Sequence, residues 1–178
     1  MDEKLVSAIV DQVVARLQSE TKLSSSSAAM NRTGVFEHIN DAIDATIAAQ
    51  KVWAAMKKRD RDNVIAALRA AMRENAETFS RMAMEETGMG RVADKIAKHH
   101  NAADATPGTE DLEGKSWSGD FGVVYEDWAP YGVIAAVTPS THPIPVMLNS
   151  IIIMIAAGNG AVFNVHPAAK NVSAYAME

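Results

Sequence analysis

The 178 residues carry 17 Lys and Arg against 22 Asp and Glu, a formal net charge of -5, and no cysteine. That balance offers no electrostatic footprint for nucleic acid, and the missing thiols exclude disulfides, thiolate metal sites and a cysteine nucleophile within these residues. A hydrophobic share of 48% with 22% charged residues is ordinary for a globular chain long enough to bury one sizeable core.

No secretory signal is visible behind the mixed charges of Met1-Asp-Glu-Lys4. The longest apolar stretch, Ile144 to Ala157, is broken by Asn149 and Ser150 and is shorter than the roughly 20 residues that cross a bilayer. A cytoplasmic protein without membrane contact is the expectation. The five histidines, His38, His99, His100, His142 and His166, have no metal-ligand spacing, so no metal is expected. His99 and His100, adjacent on a helix, should face different ways.

In chain order, residues 1–18 read as an amphipathic helix with Leu5, Ile9, Val13 and Leu17 on one stripe, widened by Val6, Val10 and Val14. Residues 19–34 include Ser24-Ser-Ser-Ser27 and read as a flexible linker. A helix of this length is marginal alone. It either packs on its own domain or docks on a partner, and the linker favours docking.

From Val35 to about Ala105 the period is helical. Ile39, Ile43 and Ile47 suggest one helix. Asp60 is the expected cap of a second, Arg61 to Glu86, with Val64, Ile65, Leu68, Met72, Phe79 and Met82 on its apolar face and Gly88 or Gly90 as its stop. The methionines between Met56 and Met89 read as core filler. Arg91 to Ala105 is a third helix, ended by Pro107-Gly108, with Arg91 and Lys95 as surface charges.

Beyond Pro107 the pattern changes. Trp117 to Trp128 alternates aromatics, valines and turn residues as a hairpin does. Gly132 to Val137 is an apolar run of buried-strand length, Pro143 to Ala157 an apolar helix closed at Gly158-Asn159-Gly160, and Ala161 to Val165 a second short strand. Strand, helix and parallel strand within this span make a right-handed βαβ unit. The corner Thr138-Pro-Ser-Thr-His142 then falls at the carboxyl end of the first strand and the amino end of the crossover helix, where open α/β sheets bind ligands. His166-Pro167 holds the equivalent place after the second strand. Pro143 and Pro145 suit a first helical turn. No GxGxxG occurs, so this reading gives a ligand edge and no reaction.

Four stretches, EETGMGRVADKIAKHH (Glu85–His100), TPGTEDL (Thr106–Leu112), WAPYGVIAAVTPSTHP (Trp128–Pro143) and IAAGNGAVFNVHPAAK (Ile155–Lys170), resemble the CoA-acylating aldehyde dehydrogenases of bacterial microcompartments. The resemblance runs in register from Val35 to Glu178. It implies an aldehyde dehydrogenase-like α/β fold in which residues 35–178 are the front of an NAD-binding domain. That front comprises helices, an oligomerisation hairpin at about 117–130 and the start of a Rossmann-like parallel sheet, an incomplete domain.

The implied reaction is NAD-dependent conversion of acetaldehyde or propionaldehyde to its acyl-CoA, with CoA as co-substrate. In the family a cysteine well beyond position 178 attacks the aldehyde, so these residues alone are expected to be inactive. The resemblance places Thr138, Pro139, Ser140 and Thr141 on the nicotinamide-ribose side of the cofactor, and His166, Pro167 and Ala168 by its adenosine end, where CoA is also received. Where many relatives carry an Asn whose amide holds the oxyanion, this chain has His142. It is either an oxyanion donor or a turn histidine bonded to local backbone.

The helix at 1–18 resembles the encapsulation peptides that dock such enzymes on a shell protein, implying a place in the microcompartment lumen and, for the intact family, a homo-oligomer. Two other readings stand beside this one: a non-catalytic docking module and a stand-alone nucleotide-binding domain. Two strands leave unpaired sheet edges, so residues 35–178 are not expected to be stable as a monomer. Aldehyde chain length, and NAD against NADP, stay open.

Overall fold

The computed structural model describes residues 34–178; the stripe of Leu5, Ile9, Val13 and Leu17 and the serine-rich linker up to residue 33 lie outside the described residues. Helix α1 is Ile39–Ala54, α2 Lys58–Thr87 and α3 Val92–Ala105. A 3-10 turn at Thr109–Asp111 leads to the antiparallel hairpin β1, Lys115–Gly119, and β2, Gly122–Glu126. Then follow β3, Val133–Thr138, α4, Pro143–Ala156, and β4, Gly160–Val165. A second 3-10 turn at Pro167–Ala169 opens into α5, Lys170–Met177.

Strands β3 and β4 are parallel and in register from Val133↔Gly160 to Thr138↔Val165. The βαβ unit read from the sequence is therefore present, and both histidine-proline corners leave the same sheet edge side by side. Register is fixed at the other end, where Gly160 N–H donates to Gly132 O at 2.8 Å and Gly132 N–H to Asn159 Oδ1 at 3.1 Å.

The core lies between helices. Ile65, Met72, Phe79 and Ala83 of α2 meet Ala103 of α3, Ile144, Met147, Leu148 and Ile152 of α4, and Val172 of α5. Ile152 and Val172 are 0% exposed. Helix α2 stops as its sequence suggests, with Gly88 in the left-handed region at φ 67° and its N–H on Met84 O at 2.8 Å. The start differs: Lys57 stands at the cap and Asp60 lies in the first turn, where its charge faces the positive helix end instead of capping it.

Burial by face departs from the sequence reading in several places. Ile39, Ile43 and Ile47 do share one helix, but their side chains are not its buried face; Ile39 is 60% and Ile47 40% exposed, and Ile43 is half-buried. The helix rests on β4 through Thr46 and Gln50 instead, so closely that a Cβ on Gly160 would stand 2.6 Å from Thr46 Cγ2. Strand β3 is buried on one face only, with Val137 79% exposed. Of the methionines, Met72 is buried and Met56 and Met89 are exposed, as is Val64 on α2.

Every residue of the hairpin strands is exposed, with Trp117 and Val124 on one face, Val123 and Tyr125 on the other, Phe121 at the turn and Trp128 beyond it. Among the described residues no helix is long and apolar enough to cross a membrane, and no cluster of His, Asp and Glu could hold a metal ion.

Candidate active site

The polar corner is built on a buried strand end. Thr138, the last residue of β3, is 2% exposed, and its Oγ1 is buried without a hydrogen-bond partner. Leaving a hydroxyl unsatisfied among the described residues in that way costs about 1–3 kcal/mol. Pro139 and Thr141 are exposed, and Ser140 Oγ reaches Met89 Sδ at 3.9 Å. Pro143, the first residue of α4, is buried with Ile144, which seats the helix end and holds the corner above it.

Helix α3 supports the corner from below through Lys95, Lys98 and His99, an i, i+3, i+4 set on one face. Lys95 is 6% exposed and its Nζ donates to the Thr141 carbonyl at 3.2 Å. The surface-charge reading of Lys95 is thereby corrected: its stem is covered by the corner, and burial together with the charge of Lys98 lowers its pKa. Arg91 does remain on the surface, with Nε 2.7 Å from Asp94 Oδ2.

His142 is not a turn histidine bonded to local backbone. Its Nε2 lies 2.5 Å from Lys98 Nζ. Burial, then the charges of Lys98 and Lys95, push its imidazole below the ordinary histidine range. His99 is buried beside it, 1% exposed, with Nδ1 2.7 Å from the Lys95 carbonyl and 3.2 Å from Ser80 Oγ. A carbonyl only accepts, so Nδ1 of His99 carries the proton, and Nε2 is left buried without a partner. Burial is again the main cause of its lowered pKa. A cavity of about 10 Å³, lined by Lys95, Lys98, His99, Thr141 and His142 among others, separates these groups. It has the volume of about one water.

At the second corner the His166 ring turns inward on its own chain, and Nδ1 accepts the Ala168 N–H at 3.1 Å. Pro167 and Ala168 are exposed beside it. The following helix is capped from afar, as Glu86 of α2 accepts the N–H groups of Asn171 at 2.9 Å and Val172 at 2.7 Å. Thr138 to His142 and His166 to Ala168 are thus brought to one edge by the β3–β4 register. A wider groove of about 360 Å³ runs between residues 34–39, β4 and α5 and includes none of the residues 138–142.

The sequence reading missed Lys98. A spacing signal was present, since Lys95, Lys98 and His99 share a helix face, but only the packing of α3 beneath α4 shows that this face meets the corner.

Comparison with known proteins identifies relatives of the whole described segment. An acetylating acetaldehyde dehydrogenase of Bilophila wadsworthia is 42% identical over 180 residues, covering 97% of this chain and 37% of that protein. A CoA-propanoylating propanal dehydrogenase of Citrobacter freundii is 36% identical over 164 residues, covering 92% of this chain and 35% of that protein. The solved structure of a propionaldehyde dehydrogenase from the Clostridium phytofermentans fucose utilisation bacterial microcompartment superposes with a TM-score of 0.79 at 48% identity, over 80% of this chain and 33% of that one. The chain thus spans little more than a third of the length of the relatives it matches. Residues 16–178 match the aldehyde dehydrogenase family, and the chain belongs to that family.

Proposed function

We propose that residues 35–178 supply the cofactor side and the oxyanion donor of a CoA-acylating aldehyde dehydrogenase, which converts acetaldehyde or propionaldehyde to its acyl-CoA with NAD inside a bacterial microcompartment. The observation that carries this reading is the corner itself. It sets the exposed Pro139 and Thr141 beside a His142 imidazole whose Nε2 is held by Lys98 and whose Nδ1 has no hydrogen-bond partner among the described residues.

The exposed Pro139 and Thr141 at the strand end fit the ribose side of a nicotinamide cofactor, with the exposed Pro167 and Ala168 beside His166 toward its adenosine. When bound, the cofactor accepts hydride from the substrate carbon. The chain's own residues do the rest of what falls to this segment. Lys95 pins the Thr141 carbonyl, Pro143 and Ile144 seat the helix end, and His142 donates one hydrogen bond where negative charge develops on the aldehyde oxygen. The thiol that attacks the aldehyde is not among these 178 residues.

The test is an assay for NADH formation that requires aldehyde and CoA together, run beside a measurement of the intact mass of the protein used. Activity in a protein carrying this segment plus a thiol-bearing remainder supports the reading. Formation of acid without CoA, or no turnover with either two- or three-carbon aldehyde, overturns it. Running NAD and NADP in parallel decides the cofactor.

Two features beyond the corner belong to the same reading. The exposed apolar hairpin makes contact between copies, so Phe121→Glu is expected to shift the sedimentation coefficient to a smaller species; an unchanged value would assign the hairpin elsewhere. The stripe of Leu5, Ile9, Val13 and Leu17 docks on a shell protein. Replacing Leu5, Ile9 and Val13 with polar residues should abolish co-sedimentation with shell protein while aldehyde oxidation is unaffected. Retained encapsulation would exclude the stripe as the docking element.

A further inference from the structure

The chemistry of His142 depends on which nitrogen holds its proton, and that is decided by what the other nitrogen bonds. An ammonium has three N–H donors and no lone pair. With Lys98 Nζ 2.5 Å from Nε2, the imidazole nitrogen must be the acceptor. Its proton then sits on Nδ1.

We infer that Lys98 is a positioning residue that locks His142 as the neutral, Nδ1-protonated imidazole, so that the corner presents one oriented N–H to a substrate oxygen. The inference rests on the proposed oxyanion role of His142 and adds the residue that makes the role possible.

The surroundings agree. Lys98 of α3 bonds His142 directly, Lys95 and His99 of the same helix line the small cavity beside it, α2 brings only Ala83, and the start of α4 brings Pro143 and Pro145. Among the described residues no carboxylate lines that space. Nothing there would stabilise an imidazolium, and two ammonium groups oppose it. Asp94, the acid that interacts with Lys98, is itself bonded to Arg91 on the surface. His99 cannot supply the donor instead, because its Nδ1 proton is already on the Lys95 carbonyl. Lys98 engages Nε2 and leaves the Nδ1 N–H free. Its charge therefore strengthens that donor toward a developing oxyanion without needing to touch it.

Two-bond proton–nitrogen correlation spectra of the chain at neutral pH, without substrate, read the tautomer directly. Wild type is expected to show pyrrole-like Nδ1 and pyridine-like Nε2 for His142. In Lys98→Met the proton should move largely to Nε2, and the His142 pKa should rise toward the ordinary value of about 6.5. Lys98→Arg keeps a donor and should restore the wild-type pattern. A wild-type His142 protonated on Nε2, or a Lys98→Met spectrum identical to wild type, overturns the inference.

In an active enzyme, Lys98→Met should lower kcat by a factor on the order of 10 with KM unchanged, less than the ~10²–10³ for losing an oxyanion donor. A kcat unchanged in both Lys98→Met and His142→Ala, with the tautomer as expected, would instead overturn the oxyanion role. The two failures are therefore distinguishable.

Discussion

Replacing His142 with alanine, in an enzyme that joins this segment to its thiol-bearing remainder, is expected to lower kcat by about 10²–10³ while KM changes little. The reasoning is that the imidazole gives its hydrogen bond chiefly when the aldehyde oxygen gains charge, and an interaction made only in the transition state appears in kcat. Alanine at this position disturbs little else. His142 makes no side-chain cap to α4, and its backbone carbonyl, which alanine keeps, still accepts the Val146 N–H at 3.2 Å.

His142→Asn should retain much more activity than alanine, because a carboxamide also has an N–H to donate. The acid limb of the rate profile adds a further check. The histidine donor described here is neutral above its pKa, and burial with Lys98 and Lys95 holds that pKa below the ordinary value. As pH falls through it, Nε2 gains a proton, the bond from Lys98 is lost and the ring is repelled from two ammonium groups. Activity should therefore persist to pH values under about 6.5 and then decline. In the asparagine variant this decline should be absent. A His142→Ala enzyme within threefold of wild type would remove the residue from the chemistry.

How much of this was legible in the sequence depends on the range of the interaction that decides each feature. The helix stops at Gly88 and Gly158, the two prolines opening α4 and the βαβ order are local signals, and the structure bears them out. The two short apolar runs joined by one helix gave the parallel order, while the register that sets Thr138 beside Val165 comes from the structure. Burial by face was less readable. Ile39 and Ile47 have core chemistry yet stay exposed, because the tight approach to Gly160 turns the Thr46 and Gln50 face of α1 inward. Lys95 has surface chemistry yet is buried, because the Thr141 carbonyl takes its charge.

The site divides the same way. Thr138 to His142 could be named from the strand and helix around them. The partner of His142 lies 44 residues earlier, and no period in either segment connects them. The caps supplied by Glu86 and Arg61 were missed for the same reason, each being a side chain that satisfies backbone groups far along the chain.

Arg61→Met is expected to destabilise the fold by about 2–4 kcal/mol. The guanidinium stands where two helices end. Its Nη2 donates to Ala54 O, the last residue of α1, at 3.0 Å, and its Nη1 donates to Ala156 O, the last residue of α4, at 3.2 Å. Terminal carbonyls have no partner within their own helix and carry the negative end of its dipole, so one cation there satisfies two acceptors and both dipoles. Methionine keeps much of the stem volume and leaves both carbonyls without that donor.

The consequence reaches the site, because Gly158, at φ 82°, turns the chain from α4 into β4 directly over the guanidinium. Two neighbours hold the same turn: Gln50 Nε2 donates to Gly158 O at 3.0 Å and Trp53 Nε1 to Ile155 O at 2.9 Å. Trp53 therefore reports on the turn, and urea unfolding followed by tryptophan fluorescence measures the loss. Arg61→Lys should recover part of it, since an ammonium can reach one carbonyl more readily than two. If Arg61→Met unfolds within about 0.5 kcal/mol of wild type, the usual range for surface changes, water satisfies those carbonyls and the arginine does not hold the crossover in place.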